Sequence, residues 1–284
     1  GNSAASLYIS HIDALQCSSN LTINRTAAGF TQAFNAGATI NGNFSYTNNT
    51  TGGTFFGNVV NKTSIGGTLT ISANYTSPNE FVLYHMVNQT AGGLIDVQNS
   101  MGFDVRIDTL KLSSFSITGY RGGAYGRLWN NDITGEVTIA DDASYGGAFN
   151  TSIRNNIITG NSIFSNNGFN TFLEADVAGT GNVFNGNASF NAAGGPVYIS
   201  HLDALQCNGN LSLTRTVAGL TQAFNAGGTV TGNFAFINNA GGATALGSTG
   251  ITTSIGGTVT ISANYITPDV FTLFRLVNQI TGGT

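Results

Sequence analysis

Charge is scarce along this 284-residue chain: Asp, Glu, Lys and Arg together make up 8% of it, against about a quarter in an average soluble protein. Lys and Glu, the favourites of exposed helices, are nearly absent, and no stretch of a dozen residues carries a helical apolar period. A βαβ sheet is therefore not supported. The formal charge of -4 comes from 9 basic and 13 acidic side chains with no basic stripe. That argues against nucleic-acid binding, because neutralising phosphates dominates such affinity. Long apolar runs are missing too. Segments such as Phe81-Val82-Leu83-Tyr84 are far too short to span a bilayer. No signal peptide is read, and the chain opens Gly1-Asn2-Ser3-Ala4 without an initiator Met, as a processed or excised piece would. Gly-Gly-x-Gly-x-Asp calcium nonapeptides do not occur, and no cofactor or metal pattern is read.

What is present points to strand and turn. Disorder normally needs low hydrophobicity and high charge, yet 41% of the residues are apolar and the mean hydropathy is +0.09. The 39 glycines are about twice the usual share. Residues 7 to 94 recur as residues 197 to 284 with no insertion or deletion, and 51 of these 88 aligned positions are identical. A fixed offset over such a span is the signature of an array. The chain thus holds one and a half copies of a 190-residue unit, with residues 95 to 196 as the part seen once.

A shorter period runs inside the long one. Asn20-Leu21-Thr22-Ile23, Asn43-Phe44-Ser45-Tyr46, Thr68-Leu69-Thr70-Ile71, Glu136-Val137-Thr138-Ile139, Asn161-Ser162-Ile163-Phe164, Asn187-Ala188-Ser189-Phe190, Asn210-Leu211-Ser212-Leu213, Asn233-Phe234-Ala235-Phe236 and Thr258-Val259-Thr260-Ile261 place a polar residue, nearly always Asn or Thr, before alternating apolar positions. Outside positions 72 to 135, consecutive members recur roughly two dozen positions apart. Two or three period-2 strands in each stretch of about 24 residues, punctuated by Gly and Asn, predict one coil of a parallel β-solenoid. The expected fold is all-β, one continuous solenoid over residues 1 to 284 with about 12 coils, right-handed by the usual sense of parallel crossovers. Gly and Asn are expected at the corners, where positive φ is needed.

The runs Gly146-Gly147-Ala148-Phe149, Phe164-Ser165-Asn166-Asn167 and Phe184-Asn185-Gly186-Asn187-Ala188 resemble the repeats of polymorphic outer-membrane proteins and related autotransporter-type β-helix adhesins. The likeness covers roughly a quarter of the chain. It implies a secreted, surface-exposed β-helix serving in adhesion or a surface layer.

Candidate site residues fall into four groups. Sequons mark Asn20, Asn24, Asn43, Asn48, Asn49, Asn61, Asn74, Asn88, Asn150, Asn187 and Asn210 as candidate N-glycosylation sites. However, Asn43, Asn74 and Asn88 recur as Asn233, Asn264 and Asn278 with the hydroxyl residue lost. What the copies keep is the Asn, as a side-chain ladder requires, so Asn43, Asn233, Asn74 and Asn264 are expected to be structural. Cys17 and Cys207 occupy equivalent places and read as small buried hydrophobes. His11 and Asp13, repeated as His201 and Asp203, would face one side of a strand. Finally, nine of the 13 carboxylates lie between residues 95 and 196. Were the chain a polysaccharide lyase or hydrolase, Asp141, Asp142, Glu174 and Asp176 are the carboxylates that would carry it.

Together these features predict a non-enzymatic extracellular or cell-surface protein, structural or adhesive, forming part of a fibre, stalk or filament. Its expected partners are further coils, reached by end-to-end self-association or covalent continuation of the array. Glycans or a host surface are further candidates, as is non-catalytic glycan binding. Any function beyond scaffolding is expected in residues 95 to 196.

Overall fold

The computed structural model describes residues 5–108, 110–121, 126–144, 150–168, 171–175, 178, 181–266 and 268–280. Asp176 and the Gly-Gly-Ala runs at 122–125 and 146–149 lie outside them. The chain divides into two compact units, Gly1–Thr138 and Ile139–Thr284, and each is a parallel β-solenoid with no helix among the described residues.

In the first unit, sheet one stacks Leu7–Ile9, Thr31–Ala33, Thr54–Phe56, Glu80–Tyr84, Gly102–Arg106 and Gly126–Trp129 in that order. Sheet two stacks Leu15–Cys17, Ala38–Ile40, Thr63–Ile65 and Met86–Asn88, and sheet three runs from Leu21–Arg25 through Phe44–Asn48, Leu69–Asn74 and Gly93–Gln98 to Leu112–Tyr120. The chain visits the three sheets in turn, so each round trip is one coil. Partners in sheet one stand one short period apart, as in Leu7↔Thr31, Thr54↔Phe81 and Phe81↔Phe103. The second unit repeats the plan. The register Leu7↔Thr31↔Thr54↔Phe81 returns as Val197↔Thr221↔Thr244↔Phe271, every position offset by 190.

Alternation decides what faces inward. In Phe44–Asn48 and Phe234–Asn238 the first, third and fifth residues are buried and the second and fourth half-exposed. Inward side chains then meet their equivalents one coil away, giving rows such as Ile23, Tyr46, Ile71 and Ile95. Phe34, Phe44, Phe56 and Tyr46 pack edge to face or tilted at 4.8 to 5.8 Å in the first unit. Burying each such ring stabilises the fold by about 1.5–3 kcal/mol.

The corner after sheet one differs from the sequence-based expectation. A residue with positive φ stands at or just after the strand end in nearly every coil: Ser10, Phe34, Gly57, His85 and Asn130 in the first unit, and Asn155, Ala175, Ser200, Phe224, Gly247 and Arg275 in the second. Two of these eleven are glycine and two are asparagine. Bulky residues are strained in that region, and the surrounding hydrogen bonds impose it. Phe34 N donates to Ile9 O at 2.9 Å, Gly37 N donates to Phe34 O at 2.9 Å, and the ring is fully buried. Periodicity locates the corner; the tertiary ladder, not the local residue, sets its φ.

Glycine is required where two corners touch. At Gly57, φ +73, an added Cβ would sit 2.1 Å from Tyr84 O, whereas at Gly92, φ +110, it would meet nothing within 4 Å. Gly92→Ala is expected to cost about 1–3 kcal/mol of backbone strain, and Gly57→Ala clearly more, read as urea unfolding midpoints. Equal costs would contradict the close corner contact.

Candidate functional site

Of the four carboxylates weighed for catalysis, Asp141, Asp142 and Glu174 lie among the described residues. Asp141 closes the strand Glu136–Asp141 and is buried. Its carboxylate accepts from the backbone N–H of Asn167 and, at 3.2 Å, from that of Gly168. Glu174 closes the strand Thr171–Glu174 and is fully buried. Its Oε1 accepts from Asn182 Nδ2 at 2.7 Å and its Oε2 from Ser200 N at 2.6 Å. Asp142 Oδ1 accepts from both the amide and the hydroxyl of Ser144, an exposed turn closure. Asp176 lies outside the described residues. Asp141 and Glu174 thus meet main-chain donors that coil corners would otherwise leave unpaired.

His11 and Asp13 stand in a bend following Ser10, not on a strand, and so do His201 and Asp203 after Ser200. The expected shared strand face is therefore absent. Instead His11 lies 5.3 Å from the Tyr8 ring and His201 4.8 Å from that of Tyr198.

The asparagines divide by geometry. Asn20 Oδ1 accepts from Asn43 N, and Asn43 Oδ1 from Thr68 N, both at 2.8 Å. The second unit continues the pattern through Asn161, Asn187, Asn210, Asn233 and Thr258, at 2.9 to 3.1 Å. Here each side-chain carbonyl caps the backbone N–H of the next coil, so the ladder is carbonyl to main chain. Asn74 Oδ1 accepts from Asn99 Nδ2 at 3.0 Å, while Asn264 bonds through its backbone N to Asn238 O at 2.8 Å. Of the sequon asparagines, Asn20, Asn24, Asn43, Asn49, Asn61, Asn74, Asn150, Asn187 and Asn210 are exposed, and Asn48 and Asn88 are buried. Asn48 Nδ2 donates to Gly52 O, and Asn88 Nδ2 to the carbonyls of Thr90 and Lys111. A glycan on either nitrogen has no room inside the folded coil.

Both cysteines are free. Cys17 stands in register with Ile40, and Cys207 with Phe184 and Val230. Burial pushes the Cys207 thiol up to about 11, so it stays protonated at neutral pH. Arg215 is a residue whose role composition did not reveal. It is fully buried at the end of Leu211–Arg215, in register with Ala192 and Asn238 of the neighbouring coils. Its Nη2 donates to Gly194 O at 2.9 Å, and its other nitrogens to the carbonyls of Val217 and Leu220 and the hydroxyl of Thr221 at 3.3 Å. Burial pulls the guanidinium down to about 10, which still leaves it charged at neutral pH, satisfied by carbonyl dipoles.

An outward constellation of charge and aromatic surface lies in the first unit. Register sets Tyr84, Arg106 and Trp129 side by side on three successive strands of sheet one, with Asp104 and Arg127 in a parallel row. Arg106 Cζ lies 5.3 Å from the centre of the Tyr84 ring and 4.7 Å from that of Trp129, and Arg127 Cζ lies 4.8 Å from Trp129. Asp104, 1% exposed, joins them. It accepts from Arg106 Nε at 2.9 Å and Nη2 at 2.7 Å, from Arg127 Nη1 at 3.2 Å and from Tyr84 Oη at 2.7 Å. At the margin, Lys62 and His85 each lie 3.8 Å from Asp108. Earlier in the row of Asp104, Phe55 packs on Phe30 at 4.8 Å beside a hollow of about 260 Å³ that Glu80 and Asn79 also line.

Comparison with protein-family models, with curated proteins and with solved structures returns no match.

Peptide mapping after expression in a glycosylating host is expected to find any glycan on the exposed asparagines and none on Asn48 or Asn88. A glycan on either of those two in folded protein would contradict the placement.

Proposed function

We propose that this repeat β-solenoid is a structural and adhesive protein acting outside the cell, at a cell surface, and that it works by stacking coil on coil. The observation that carries the reading is the coil-to-coil register itself: Leu7↔Thr31↔Thr54↔Phe81 is built again as Val197↔Thr221↔Thr244↔Phe271, so the same stack of coils is specified twice, 190 residues apart.

Coils that repeat one register, each touching only its neighbours, are the unit of an extendable array. The motif resemblance to polymorphic outer-membrane and autotransporter-type adhesins supports the surface setting. The scarcity of charge suits a filament whose equivalent side chains stack at close spacing.

Electron microscopy of the native protein tests the array: a rod with an axial repeat of roughly 38 Å, about eight coils at about 4.8 Å each, is expected. Particles with no axial repeat would overturn the proposal.

A further inference from the structure

The shelf formed by Tyr84, Arg106, Arg127 and Trp129 is not needed to close a coil. The second copy builds the coil equivalent to that of Tyr84 with Phe274, which has no hydroxyl to offer, and replaces Lys62 by Thr252. Yet the shelf collects three of the chain's nine Lys and Arg residues, namely Lys62, Arg106 and Arg127. It does so in a chain of net charge -4. At its centre two guanidiniums share one carboxylate. They remain 30% and 34% exposed. Asp104 fixes both orientations in advance, so a ligand meets them already ordered.

We propose that this shelf binds an acidic sugar unit of a glycan chain, a pyranose carrying a carboxylate. The inference rests on the adhesive half of the function proposed above and names its ligand class. A guanidinium presents parallel N–H donors that match a carboxylate in two-point geometry. The indole and phenol beside it offer apolar surface to the C–H face of a ring. The occupant is argued from charge and from the fold. Three cations on an acidic chain are too few for nucleic acid, whose affinity scales with phosphates neutralised. An extended acidic peptide would seek an open strand edge, but the main chain of Glu80–Tyr84 and Gly102–Arg106 is paired on both sides. A rigid ring bearing one carboxylate needs neither. Phe55, on the strand Thr54–Phe56 of the same sheet, stands in the row of Asp104 with the Phe30 ring packed against it, a further aromatic pair on this sheet.

Trp129 is the only tryptophan of the chain, so its emission reports on the shelf without any substitution. The full chain is titrated with oligogalacturonate, with a sialylated oligosaccharide, with methyl-esterified oligogalacturonate and with polyglutamate. A saturable change in emission is expected with at least one of the two acidic sugars, weakening as salt rises. None is expected with the ester or with polyglutamate. Arg127→Gln and Trp129→Ala, checked for unchanged circular dichroism and read by calorimetry, are expected to weaken binding about tenfold or more, and Arg275→Gln to leave it unchanged. The proposal is overturned if neither acidic sugar gives a saturable change, if the ester binds equally well, or if polyglutamate binds as tightly, which would mark a general anion patch. Should a variant misfold, the unsubstituted titration still decides. The axial repeat of the native rod is read separately, so failure here leaves the scaffold reading standing.

Discussion

Main-chain hydrogen bonding from each coil to the next is the constraint from which the other features of this protein follow. Once strands lie in parallel register, each inward side chain must fit its equivalents one coil above and below. The inward rows therefore carry Phe, Ile, Leu and Val, and the corners are forced into positive φ even where Phe34, His85 or Arg275 stands there. The same stacking disfavours charge, because like charges in one row repel at close range. Only 8% of the residues are charged, and the tightest cluster mixes the signs, with Asp104 beside Arg106 and Arg127.

Much of this was legible in the amino-acid sequence. The 190-residue offset reappears as identical register in the two copies, and the subrepeat marks the strands of sheet three. Asn43 and Asn233, kept while the sequon was not, each cap the N–H of the next coil. Other features were hidden because they depend on three-dimensional context. Local propensity puts Gly or Asn at corners, but the ladder overrides it. His11 and Asp13 have strand spacing yet occupy a bend, since Ser10 turns the chain just before them. Asp141 and Glu174 look like candidate acids in sequence, and only the fold reveals the backbone N–H groups that they satisfy.

The shelf escaped for a different reason. Tyr84, Arg106 and Trp129 fall one coil period apart in the chain, and no linear motif joins them. Applying that period to aromatic and charged residues, not only to apolar ones, would have aligned them. All of its central residues except Tyr84 stand at positions 104 to 129, within the segment seen once, where function beyond scaffolding is expected. A solenoid can vary outward positions freely because the inward rows and the coil-to-coil bonds hold the fold. In the proposed division of labour, the repeated coils supply a scaffold and a singular stretch supplies the recognition surface.

Amide hydrogen exchange tests most directly whether coil-to-coil bonding governs the whole. The corner amides of Phe34, Gly57, Phe224 and Gly247 all donate to a neighbouring coil. They are expected to exchange slowly, with protection that matches between equivalent positions of the two copies. Fast exchange at those amides, or protection that differs between equivalent interior positions of the two copies, would contradict a fold held together coil by coil.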